Sequence, residues 1–191
     1  MYERGRKLMS KGLKINFTLL IIISIISVAG CVSADSVDTD SNISKAVVKL
    51  NPTDGNTANG VVWFTNVVGG VKVEGHIEGL PVGIHGFHIH QFGDCSASNG
   101  KSAGGHFNPE GSEHGSPTAA VRHVGDLGNI TADSTGSANF SFVDGIIALS
   151  GERSILSRCV IIHEVADDLA SQPTGAAGSR LACGVVGIAN N

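Results

Sequence analysis

The sequence predicts an all-β domain, a sandwich or closed barrel built from eight short strands. Glycine is abundant, 26 of 191 residues, and aromatic residues are few, a balance that suits many turns and argues against a helical bundle. Several apolar runs alternate with polar residues at a period of two, the signature of strands with one buried face. Eight such runs, separated by Gly-rich turns, suit a sandwich or barrel.

The runs follow in order. Ala46–Leu50 and Val61–Val67 are rich in β-branched residues. Val71–Ile77 reads Val-Lys-Val-Glu-Gly-His-Ile, apolar against polar, as a half-buried antiparallel strand does. Gly86–Phe92 and Asp126–Thr131 follow, then Ala138–Val143, where Phe140 and Phe142 repeat the period of two. Arg158–Glu164 and Leu181–Ile188 complete the set. Two stretches do not alternate, Gly93 to Gly125 and Val165 to Ser179. Loops this long in a compact domain are usually functional or disordered.

Function is the better reading of the first loop, because of the residues it holds. His88, His90, His106, His114, His123 and Asp126 fall within 39 residues, and His163 follows on a later strand. Imidazole is the commonest ligand for copper and zinc, and a carboxylate suits zinc. Seven ligands are what two adjoining four-coordinate ions need when one ligand is shared. His88 and His90 stand two apart on a strand, so both point to one face with Cα atoms about 6.6–7 Å apart. His106, His114, His123 and Asp126 lie in or at the end of the long loop, which a metal can organise.

Residues 1–30 read as a targeting segment. Arg4, Arg6, Lys7, Lys11 and Lys14 form a basic n-region before the apolar run Ile15–Ala29, short of the roughly 20 residues a spanning helix needs. Val28-Ala29-Gly30-Cys31 resembles the lipobox of bacterial-type lipoproteins, in which the Cys becomes the lipidated first residue. An ordinary signal peptide, or an uncleaved anchor with a coincidental Cys, are the alternatives. All three export the domain, as a membrane-anchored lipoprotein facing the extracytoplasmic side or as a periplasmic or secreted protein. Residues 31–44 then form a polar tether and 45–191 the folded domain. Residues 1–30 hold five Lys/Arg and one Glu, which leaves eight basic and 16 acidic residues in the remainder, a net charge of −8. Nucleic acid is an unsuitable partner for so acidic a chain.

Four cysteines remain to be placed. Lipidation of Cys31 leaves three, and export favours one disulfide. Cys95 and Cys183 stand beside loop-like glycines and are the better pair. Cys159, in an apolar run, reads as a buried free thiol.

Taken together the motifs become specific. Gly86-Phe-His-Ile-His-Gln-Phe-Gly-Asp-Cys95, Gly104-Gly-His-Phe-Asn-Pro109, Arg122-His-Val-Gly-Asp-Leu-Gly-Asn129, Val160-Ile-Ile-His-Glu164 and Gly178-Ser-Arg-Leu-Ala-Cys-Gly-Val-Val-Gly187 resemble copper/zinc superoxide dismutase, in family order, over roughly Ala46–Ala189. The resemblance implies a flattened, sandwich-like, eight-stranded Greek-key β-barrel with two long functional loops. It implies an enzyme whose substrate is the small anion superoxide and whose cofactors are copper and zinc. Copper would take His88, His90, His106 and His163. Zinc would take His106, His114, His123 and Asp126, with His106 bridging. Asp167 matches a carboxylate that connects ligands of the two metals, and Arg180 an arginine beside the copper channel; Arg180 and His106 are the catalytic candidates. His85 matches a structural position, and His76 reads as a solvent-facing strand residue. Two features depart from the family pattern. The Cys95–His106 segment is closer to bacterial-type spacing, and the loop from Glu164 to Ser179 is short and contains no Lys. With Lys101, Arg122 and Arg180 as the nearby basic residues, weaker attraction of the anion is expected. Interfaces differ between branches of the family, so the resemblance leaves a homodimer open. A non-catalytic metal-binding module on the same barrel is the rival reading, but such relatives usually lose a copper ligand or the channel Arg, and this chain keeps both.

Overall fold

The computed structural model describes residues 43–190. Nine strands run β1 (Lys45–Pro52), β2 (Asn59–Val67), β3 (Gly70–Glu78), β4 (Gly83–His90), β5 (Asp126–Ala132), β6 (Ala138–Asp144), β7 (Cys159–His163), β8 (Arg180–Val185) and β9 (Gly187–Ile188). Their hydrogen-bonded order is β5-β4-β7-β8-β1-β2-β3-β6, with β9 beside β1. Every pairing is antiparallel. The two ends of this path, β5 and β6, are joined by a tight turn in which the Asp133 N–H donates to Ser137 O at 2.9 Å. The result is the nearly closed, eight-stranded Greek-key barrel that the family resemblance implies.

Alternation works where one face meets water. Ala46, Val48 and Leu50 of β1, Val62 and Phe64 of β2, and Val71, Val73 and Ile77 of β3 point into the core. Each fully buried Leu, Ile or Phe there contributes about 1.5–3 kcal/mol. β4 and β7 are different, since both of their faces are covered. Phe87, Ile89, Val160 and Ile162 join the core, while His88, His90, Cys159, Ile161 and His163, all buried, face the long loops.

Three strands stop sooner than the sequence predicts. β4 stops at His90 because the Gln91 and Phe92 N–H groups donate to Gly105 O and Ala103 O in the loop. β7 ends at His163, since the Glu164 N–H donates to Ser179 O. The last run, expected over Leu181–Ile188, breaks at Val186. Its N–H donates to Arg158 O and its carbonyl accepts from Ser157 N–H, so two residues ahead of β7 stand against one, and Gly187 and Ile188 pair instead with Val47 and Ala46. Among the described residues no helix is long and apolar enough to cross a membrane.

Candidate metal centre

β4 supplies His88 and His90 on its outer face. β7 ends on His163, which is paired in register with Arg180 at the start of β8. The first loop returns to β4 through a His90–His106 bridge. A chain of backbone bonds then clamps the loop: Phe107 N–H to Ile89 O, Ile89 N–H to Gly125 O and Gly125 N–H to Phe107 O, each 2.9–3.0 Å. Gly125 is required here, because a Cβ at that position would collide with Ile89 O. The clamp sets His106 and Asp126 beside the two strand histidines.

The seven expected ligands gather into two groups of four. His88, His90, His106 and His163 form one, and His106, His114, His123 and Asp126 the other. Within each group one donor atom per residue lies within 4.8 Å of the rest, and all seven residues are buried. In the first group His90 Nε2 and His163 Nε2 are 3.2 Å apart, and the His88 and His106 ring centres 4.0 Å. In the second, Asp126 Oδ1 lies 2.7 Å from His106 Nδ1, 3.0 Å from His114 Nδ1 and 3.1 Å from His123 Nδ1. Asp126 Oδ2 accepts from His123 N–H at 2.8 Å and Gly115 N–H at 3.1 Å.

The donors fit metal ions. His88 Nδ1, His106 Nε2 and His114 Nδ1 are buried with no hydrogen-bond partner, an arrangement that costs free energy unless something accepts their lone pairs. His106 Nδ1 faces Asp126, so its unpartnered Nε2 is the atom left for the first group. One imidazole thus serves both groups through opposite nitrogens. Burial, reinforced by charge repulsion from His106 and His163, holds His88 and His90 well below the ordinary histidine range. Burial and His106 bring His163 down to about 4, and burial lowers His123. Neutral imidazole is the ligating form. Burial opposes ionisation of Asp126, but the bonds from His106 and the Gly115 N–H outweigh it, and its carboxyl lies well below the usual range.

Asp167 takes the expected place between the groups. Its Oδ2 accepts from His88 Nε2 at 2.8 Å and its Oδ1 from His114 Nε2 at 2.9 Å. Gly175, at φ +66°, passes so close that any Cβ would strike Asp167 Oδ1 and His114 Nε2. Arg180 donates to Gly100 O at 2.5 Å and Gly104 O at 2.6 Å. With His90, His163, Lys101 and Asp54 it lines a cavity of about 620 Å³ that opens onto the first group. His85 is buried and bonded to His163 O and Pro81 O, and His76 is exposed against Asn139 and Glu78, as expected. The Cys95–Cys183 disulfide is present with Cα atoms 5.9 Å apart. Cys159 is a buried free thiol, pushed up to about 11 by burial. Cys31 lies outside the described residues.

Arg122 does not belong with the basic residues facing the anion. It is buried, pairs with Asp144, and donates to the carbonyls of His123, Val124 and Asp126. Sequence reasoning also passed over two supports. Asn129 donates to Asp167 O and accepts from its N–H; its only signal in the sequence is its place three residues beyond Asp126 on β5. Gln172 accepts from His114 N–H and donates to His114 O, with no local signal at all.

A nearly closed β-barrel with two adjoining four-ligand groups that share one imidazole defines a dinuclear metalloprotein. The model of one family, copper/zinc superoxide dismutase (SODC), matches residues 58–186. The chain is 57% identical to superoxide dismutase [Cu-Zn] A of Xenopus laevis over 136 residues, 68% of this chain and 89% of that protein. A solved structure described as the clock protein EA4 superposes with a TM-score of 0.71 at 45% identity, covering 76% of this chain and 95% of that one. The chain belongs to the copper/zinc superoxide dismutase family. It is an enzyme that converts superoxide to oxygen and hydrogen peroxide.

Proposed function

We propose that His88, His90, His106 and His163 hold copper, that His106, His114, His123 and Asp126 hold zinc, and that the enzyme works outside the cytoplasm. The observation that carries the metal assignment is the asymmetry of the two groups about His106. The first offers nitrogen donors only and faces the cavity with Arg180. The second contains the carboxylate and is closed over by the loop from His106 to Asp126, which suits a structural zinc. When bound, copper supplies one-electron redox chemistry and zinc supplies none.

The chain's own residues do the rest. Arg180, its guanidinium fixed by Gly100 O and Gly104 O, attracts and orients the superoxide anion by charge and hydrogen bonding. His106 stays anchored through Nδ1 at Asp126, so Nε2 is the atom that holds a proton and gives it to the departing peroxide. Asp167 keeps His88 and His114 in the tautomer that presents Nδ1 to the metals.

Export rests on the basic segment, the apolar run and Cys31, and the Cys95–Cys183 disulfide is in keeping with it. Intact mass of the membrane-extracted protein distinguishes lipidated, cleaved and uncleaved forms. For the centre, His88→Ala is the decisive variant. Superoxide consumption is expected to vanish while one zinc per chain remains by elemental analysis. Loss of zinc with retention of copper would reverse the assignment.

A further inference from the structure

Three sulfur atoms meet beneath the first long loop. Cys95 is bonded to Cys183, and the free Cys159 Sγ lies 3.3 Å from Cys95 Sγ. All three sulfurs fall within 4.8 Å of one another. The register explains the meeting. Cys159 pairs with Val185 and Ile161 with Cys183, so Cys159 and Cys183 are diagonal neighbours on one face of β7 and β8. Cys95 comes down onto both from the segment after β4, and Ala103 and Ile161 close the group. The three sulfurs differ in access. Cys95 and Cys183 line a cavity of about 430 Å³ together with Asn51, Asp54 and Ser98. Cys159 has 0% exposure and Cys183 4%, while Cys95 is half-buried.

We propose that Cys95, Cys159 and Cys183 form a thiol–disulfide exchange site, in which Cys159 takes Cys95 from Cys183 and leaves the Cys183 thiol facing the cavity. Cys159 attacks Cys95 Sγ as the thiolate. The Cys95–Cys183 bond breaks as the Cys95–Cys159 bond forms. The electron pair leaves on Cys183 Sγ, which takes up the proton that Cys159 gave up. One disulfide and one thiol stand on each side, so no oxidant or reductant is consumed. The 3.3 Å separation is within the roughly 3–3.5 Å at which reacting atoms need little further approach.

The exchange moves the free thiol from a fully sealed position to the wall of the cavity, where a small thiol-reactive molecule is to be tested against it. It also moves the tether of the loop. Cys183 lies three residues beyond Arg180 on β8, whereas Cys159 is on β7. The tethered loop carries Gly100 and Gly104, whose carbonyls hold Arg180, so the exchange alters the seating of the anion-binding arginine.

The test uses the folded, oxidised full chain. Cleavage after Lys and Arg places Cys95, Cys159 and Cys183 on three separate peptides, 73–101, 159–180 and 181–191. The protein is held at mildly alkaline pH with iodoacetamide and no reductant, then digested without reduction and mapped by mass. Label is expected to accumulate on Cys183, in step with a Cys95–Cys159-linked peptide pair. Label that stays confined to Cys159 overturns the proposal. In Cys159→Ser, labelling of Cys183 is expected to fall at least about tenfold. An unchanged rate would trace the label to unfolding and overturn the proposal equally. Cys183→Ser, produced under oxidising conditions, is expected to contain the Cys95–Cys159 disulfide. A folded variant with both thiols free overturns the inference, and should this variant not fold, the comparison of the parent chain with Cys159→Ser decides alone.

Discussion

Asp167 Oδ2 lies 2.8 Å from His88 Nε2, and this contact fixes which nitrogen of His88 can ligate. A carboxylate accepts only, so Nε2 carries the proton and the buried, unpartnered Nδ1 is left with its lone pair. The same carboxylate does the same for His114 from its other oxygen. Asp167→Asn presents one oxygen and one amide, so one of the two histidines must lose its acceptor or change tautomer. Affinity for metal is expected to fall about 10–100-fold in the group whose histidine loses its acceptor, the usual cost of losing such a support. Competition with a chelator of known affinity measures it. Unchanged affinity in both groups would show that the ring orientations are set by packing instead.

The seven candidate ligands were legible in the sequence because chemistry marks them. Imidazole and carboxylate at these spacings have few other uses, and the structure gathers all seven. The strands β1, β2, β3 and β6 were legible because one face of each is dry and the other wet. The break at Val186 was not legible, since Val186 is as apolar as its neighbours and only its bonds to Ser157 and Arg158 set it apart. Gln172 was not legible either. Its partner His114 is 58 residues away, and a loop glutamine carries no periodic signal. Arg122 was visible as a charge, but its burial could not be read without knowing that Asp144 stands opposite.

That ion pair leads to a prediction about stability. Arg122 is 4% exposed and Asp144 5% exposed. Removing one partner of a buried pair leaves an uncompensated charge, at a cost of about 3–5 kcal/mol. Asp144→Ala is therefore expected to destabilise the metal-free protein by that amount, read from denaturant midpoints. The double variant Asp144→Ala, Arg122→Met is expected to recover part of the loss. Arg122 also holds the carbonyls of His123, Val124 and Asp126, so recovery of zinc affinity is expected to be incomplete.

Acid should destabilise the metal-free protein across a definable window. Burial lowers His163 to about 4 from the ordinary 6.5, and lowers His88 and His90 in the same direction. Above pH 6.5 these groups are neutral in both folded and unfolded chains, and stability is insensitive to them. Between 6.5 and 4 the unfolded chain binds protons that the folded chain refuses, so stability falls as pH falls. His163 alone accounts for about 3 kcal/mol of loss across that interval. Asp126, whose carboxyl is depressed, adds to the loss in the same direction only at the acid end of this window and below it. Urea unfolding of chelator-treated protein at pH 7, 5.5 and 4.5 is expected to give midpoints in descending order. A flat series would mean that the histidines are protonated in the folded state.

The charges around the cavity predict how strongly superoxide is drawn in. Lys101 and Arg180 line it, but so does the exposed Asp54. The adjoining loop contributes exposed Glu164 and Asp168 and no lysine. Arg122 is spent on Asp144, and Arg153 pairs with Glu110. The cavity lining thus carries a net charge of only +1, beside a loop that adds two negative charges, within a chain that is acidic beyond residue 30. Salt screens such exposed charges over about 8–10 Å. Raising ionic strength from low values to about 0.15 M is expected to lower kcat/KM by less than about tenfold, the low end of what steering achieves. A steeper fall would contradict this weak field. Lys101→Glu sharpens the test by changing the sign. With Arg180 then outnumbered by Asp54 and the new carboxylate, added salt is expected to raise kcat/KM. A variant that keeps the parental downward slope would show that the anion approaches Arg180 along a path that Lys101 does not govern.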